Sequence, residues 1–174
     1  MSNPDLPAAP LRYGALGAAI HRLAAGTALL GGALLTAIAL MSVASIALRS
    51  VGMQPIQGDF ELVQVGLAIC VTLLLPWCEL QGGNITVDFF TARMRKSWRR
   101  QLDAAGCALF ALIIALVAWR TGAGAVSLKA AGETTMLLGV PLWIGYALMT
   151  PGLVLTAVAA LYRTAAAWGE ARGE

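Results

Sequence analysis

The chain has 174 residues, 59% of them hydrophobic and 12% charged, with a mean hydropathy of +0.75. Soluble domains carry roughly 25% charged residues, so this composition excludes an ordinary water-soluble domain and makes the bilayer the solvent. A formal charge of +3 does not signal nucleic acid, because the basic residues sit at the edges of apolar runs, where lipid headgroups and topology account for them.

Met1 to Tyr13 is polar and proline-bearing, and residues 1–20 form the expected cytoplasmic N-terminal segment. The apolar run after His21 and Arg22 is too long for a cleaved signal sequence, so an uncleaved first span is expected over 23–48. Further spans are expected over 60–80, 102–122 and 136–162, each close to the roughly 20 residues that cross a core about 30 Å thick. The connection from Arg49 to Asp59 holds Gly52, Pro55 and Gly58 and reads as a short irregular turn, and Thr121–Thr135 reads as a small-residue connection outside the membrane.

Between spans two and three the chemistry changes. Val87, Phe90, Met94 and Trp98 recur at helical spacing, opposite Asp88, Arg95 and Arg99, which predicts an amphipathic interfacial helix over 86–101. Thr86 can cap its start and Gly82 and Gly83 allow a sharp exit from span two. The alternative is a basic loop whose arginines only set topology. Arg12, Arg22, the five basic residues from Arg93 to Arg100, Arg163 and Arg172 all fall on one side, so both termini, including the tail 163–174, are expected in the cytoplasm. Trp77, Trp98 and Trp168 near that face, and Trp119 and Trp143 near the other, suit indole's preference for interfaces. The expectation is an all-α membrane protein, one domain of four transmembrane helices with an interfacial helix between spans 2 and 3.

Chemistry is sparse. Cys70, Cys78 and Cys107 lack metal-ligand spacing, and His21 is the only histidine, so this chain supplies neither a metal site nor two axial haem ligands. No nucleophile and base pair or phosphate-binding glycine loop appears, which argues against an enzyme and against a bound cofactor. Arg49, Glu61 and Arg120 are expected at the outer face, where Glu61 either pairs with one of the arginines or stays solvated. Small residues recur every fourth position on span one, at Ala24, Ala28, Gly32 and Thr36, a pattern that lets another helix approach closely and that packing within the chain also explains. Pro141 lies at the start of the fourth span, where proline is tolerated, and Pro151 lies inside it, where a kink is expected.

Three segments in order carry a resemblance. Glu61 precedes a long apolar span; Gly82-Gly83-Asn84-Ile85-Thr86-Val87-Asp88 opens a basic amphipathic stretch; and Leu138-Gly139-Val140-Pro141-Leu142-Trp143-Ile144-Gly145-Tyr146 is followed by Pro151-Gly152. Over residues 20 to 165 the chain resembles the small permease subunit of tripartite ATP-independent periplasmic (TRAP) transporters, the DctQ-like family. That family often has histidine where Asn84 stands, so a titrating role there does not carry over. The resemblance implies a bacterial inner-membrane subunit that assembles with a large permease subunit. That large subunit would carry an organic anion in with sodium after a periplasmic solute-binding protein delivers it, and the small subunit would brace it. Two other readings stand beside it: a stand-alone homo-oligomeric carrier or channel, and a membrane anchor of a redox enzyme.

Overall fold

The computed structural model describes residues 15–54, 56–81 and 96–172, with side-chain surroundings for 15–54, 56–81 and 105–165. Four helices account for nearly all of these residues: α1 (Ala15–Ser50), α2 (Asp59–Leu80), α3 (Lys96–Ala131) and α4 (Leu142–Arg172). Each contains a stretch long and apolar enough to cross a membrane: Ala15–Ser50, Asp59–Leu80, Ala105–Ala131 and Leu142–Ala165. Helix is the form the solvent imposes, since in hydrocarbon each backbone amide and carbonyl must be satisfied within its own segment. The hydroxyls obey the same rule. Those of Thr36, Ser42, Ser127, Thr150 and Thr156 each donate to the carbonyl four residues earlier.

The breaks fall where the backbone cannot continue a helix. Gly52 and Gly58 take positive φ between α1 and α2, and Gly132 and Gly139 do so between α3 and α4, the conformation that glycine adopts without a Cβ penalty. Pro141 immediately precedes α4, while Pro76 and Pro151 lie inside α2 and α4 and each withholds one amide from the helical ladder.

The helices stand in a row, α1 beside α2, α2 beside α4 and α4 beside α3, with α1 and α4 touching only marginally. Burial follows that order: within an apolar 18-residue stretch of each span, 33% of the residues of α4 and 22% of those of α2 are buried, against 17% for α1 and α3, which makes α2 and α4 the centre and α1 and α3 the edges. Ile20, Ala24, Leu80 and Ala159 cluster with Trp77 and Tyr162, so the start of α1 and the ends of α2 and α4 share one end of the row.

The contacts along α1 and α2 keep a constant register. Ser45 meets Asp59, Ile38 lies over Gly66, Gly31 faces Cys70, Leu73 and Leu74, and Ala24 joins Leu80. Buried positions on α1 include Gly17, Ala24, Gly31, Ile38 and Ser45, one every seven residues. At about 100° per residue, seven residues return to within about 20° of the same face, the geometry of left-handed coiled packing. A four-residue step overshoots by about 40°. The expected stripe therefore starts in the interface at Ala24 and turns out of it: Ala28 and Gly32 are half-buried and Thr36 is exposed.

Between α2 and α4 the backbones themselves meet. A Cβ on Gly152 would contact the Thr72 carbonyl oxygen and would lie 2.7 Å from the Thr72 carbonyl carbon and 3.2 Å from the Leu73 nitrogen. Seven residues earlier Gly145 faces Val65, and seven later Ala159 is fully buried. In lipid this close approach replaces the hydrophobic drive that is missing between helices.

Candidate functional site

The polar chemistry of the described residues concentrates at the two ends of the row, and α2 supplies its anchors. At one end Glu61, in the first turn of α2, reaches the α3–α4 connection, where its carboxylate accepts the amides of Leu137 at 2.8 Å and Leu138 at 3.1 Å. The Thr135 hydroxyl and the Met136 amide act on the same carboxylate. The connection is a compact hairpin. Thr134 pairs with Pro141, the Thr135 amide donates to the Val140 carbonyl at 2.9 Å, the Val140 amide to the Thr135 hydroxyl at 3.1 Å, and the Leu142 amide to the Glu133 carbonyl at 3.0 Å. Leu138 lies over Gly58 at the N-cap of α2, with a side-chain methyl 2.8 Å from where a Cβ would be.

This arrangement replaces the arginine partners that charge alone suggests for Glu61. Arg49, in the last turn of α1, is exposed and its charge acts on Asp59. Asp59 itself accepts the hydroxyl of the buried Ser45 at 2.6 Å and the Phe60 amide at 2.7 Å, tying α2 to α1. Arg120 is an exposed residue well inside α3, eleven residues before the helix ends at Ala131. The stretch from Thr121 that reads as a connection is thus helix for all but its last few residues, and Gly122 and Gly124 there pack close to Thr150 and Tyr146 of α4. Near the same end Lys129 stands 5.0 Å from the ring centre of Trp143, a cation held over an aromatic face.

At the opposite end sequence reasoning passed over an ion pair. Arg163 of α4 donates through Nη1 to Glu79 Oε1 at 3.0 Å and to the Glu79 carbonyl at 2.6 Å. The Glu79 side chain is 2% exposed and that of Arg163 24%. A signal existed: both are single charges closing an apolar run toward the same membrane face. Beside them His21 meets Trp77 edge to face, with ring centres 4.8 Å apart.

Gly83, Asn84, Asp88 and Phe90 lie outside the described residues, as does the beginning of the expected interfacial helix. Its last residues, from Lys96 and including Trp98, are the first part of α3. Among the described residues no group of three or more metal-ligating side chains comes together.

A family model described as "Tripartite ATP-independent periplasmic transporters, DctQ component" matches residues 38–170. Comparisons with curated proteins and with solved structures gave no match.

Proposed function

The chain belongs to the DctQ-component family of TRAP transporters and is a small membrane component of such a system, and we propose that it acts as the non-transporting scaffold of a bacterial inner-membrane complex. In this reading it braces a large permease subunit, which carries an organic anion inward with sodium after a periplasmic binding protein delivers it. The observation that supports bracing is the open row: α1 and α3 are edges with most of their surface outward, and large side chains such as Leu29, Leu40, Leu112 and Trp119 are exposed along them. A row of this kind offers surface to another membrane subunit and encloses little between its own helices.

The distribution of arginine and lysine favours cytoplasmic termini. A reporter that is active only outside the cytoplasm should therefore stay silent at either terminus and become active when inserted in the hairpin at Met136.

Reconstitution tests the reading directly. Vesicles holding this chain alone should show no sodium-driven uptake, and adding the large subunit and the binding protein should restore it; uptake by this chain alone would establish the carrier reading instead. The outward part of the α1 stripe gives a second handle. Gly32 has open space where a Cβ would go, so Gly32→Leu should leave the isolated chain folded, and a fall in its recovery with the large subunit would mark α1 as a contact edge.

A further inference from the structure

We propose that Arg120 is the cationic half of an ion pair formed between subunits within the membrane, and that the α3 face carrying Leu116, Arg120, Ala123 and Ser127 seats a transmembrane helix of the large permease subunit bearing a carboxylate at the same depth. This rests on the scaffold reading above and names the edge and the chemistry by which the two subunits meet.

Depth comes first. Gly122 and Gly124 of α3 face Thr150 and Tyr146 of α4, and Gly152 of α4 meets the backbone of Thr72 in α2. Arg120, half a turn before Gly122, is therefore level with the turn of Gly152 and with Thr72. Thr72 is thirteen residues from Asp59 and eight from Leu80, the limits of the α2 span, or about 20 Å and about 12 Å from its two ends. The guanidinium reaches only about 6 Å from its Cα, so snorkelling alone leaves it inside the hydrocarbon. Helical side chains lean toward the helix N-terminus, and on that side of Arg120 the surface of α3 is Leu109, Leu112, Ile113 and Leu116, all exposed and apolar.

The partner's character follows from what the chain itself offers. Arg120 makes no hydrogen bond, ion pair or ring contact with any described residue, and its own side chain is exposed. A cation at this depth faces a cavity or an acceptor rather than lipid. A second copy of the chain would bring no described carboxylate to this level, because Asp59, Glu61, Glu79 and Glu133 all sit at helix ends. Lipid phosphates stand at the surface. The remaining donor of negative charge is another membrane helix, and Ala123 and Ser127, exposed on the same face, allow it to come close. Ser127 spends its hydroxyl on the Ala123 carbonyl, which leaves the guanidinium as the polar group of that face.

The test uses the chain coexpressed with its large subunit. Arg120→Leu should leave the yield and thermal unfolding of the chain purified alone unchanged, because Arg120 has no described partner within it. In coexpression the same variant should lower recovery of the complex at least about tenfold near the dissociation constant, with Arg120→Lys retaining an intermediate share. A benzophenone side chain at Ala123 should crosslink to the large subunit. Parental recovery and uptake with Arg120→Leu, or no adduct at Ala123 from an intact complex, would overturn the inference and leave the scaffold reading standing. Failure of the unaltered chain to copurify with the large subunit would overturn both.

Discussion

Gly152→Ala places a methyl group where two helices share their tightest contact. The new Cβ would press on the Thr72 carbonyl, 2.7 Å from its carbon and 3.2 Å from the Leu73 nitrogen, whereas ordinary carbon contacts lie near 3.5–4.0 Å. The obstacle is backbone, so no rotamer change relieves it; α4 must move off α2 by roughly 1 Å. Moving it also loosens Gly145 from Val65 and Ala159 from its cluster, on the same face one heptad away in either direction. Overpacking of this kind costs about 1–3 kcal/mol. Gly32→Ala is the matched control, because open space surrounds that position and alanine in a helix is favoured over glycine by about 0.5–1 kcal/mol. Reversible unfolding in mixed micelles should therefore give changes of opposite sign for the same chemical substitution. Equal stability of the two variants, or a more stable Gly152→Ala, would refute the backbone contact.

Removing the carboxylate at Glu61 should free the hairpin without unfolding the helices. In Glu61→Ala, hydrogen exchange at Leu137 and Leu138 should quicken while the Thr135 amide, bonded to Val140, keeps its protection. Glu61→Gln retains one acceptor oxygen and should spare one of the two amides. At the other end the two halves of the ion pair should respond unequally. Glu79→Leu leaves Arg163, a quarter exposed, free to turn to water, while Arg163→Leu takes the guanidinium from a carboxylate that is 2% exposed; the second should cost more. Equal losses in chemical unfolding would mean that the Glu79 pocket hydrates readily.

The four spans were legible because the bilayer sets a threshold that sequence crosses visibly: charge-free runs of about 20 residues are the length a hydrocarbon core demands, and chains that fold in water rarely contain them. Helix extent was less legible. Residues 121–131 look like a connection because Gly122, Gly124 and Ser127 lower their hydropathy, yet the same glycines let α3 lie close to Thr150 and Tyr146, and that packing keeps the segment helical. The four-residue stripe on α1 coincides with the α1–α2 contact only at Ala24, because that contact follows seven residues in two turns, so Ala28, Gly32 and Thr36 turn progressively away from α2. For Glu61 the sequence offers an arginine or water as partner, because side-chain charges are written in it, and the backbone amides of Leu137 and Leu138 that it binds are not. Glu79 and Arg163 are separated by 84 positions, and only the fold brings them to one end.

The polar anchors share a logic that the membrane dictates. Apolar contact does little to hold one helix to another in lipid, so a stable row needs close backbone approach at mid-depth and polar clasps where water reaches. Helix α2 supplies both. Its only acids are Asp59, Glu61 and Glu79, and each engages a different element: α1 through Ser45, the α3–α4 hairpin through the Leu137 and Leu138 amides, and α4 through Arg163. Gly66 and Thr72, between those ends, receive Ile38 of α1 and Gly152 of α4. The scaffold role proposed above would require the chain to hold its own shape while a neighbour moves against it, and the contacts of α2 set that shape from the centre of the row. The edges then differ in what they leave for a partner: α1 presents small and aliphatic side chains, whereas α3 presents an arginine at mid-depth. An asymmetric row of this kind would meet another subunit by the edge whose charge requires an answer.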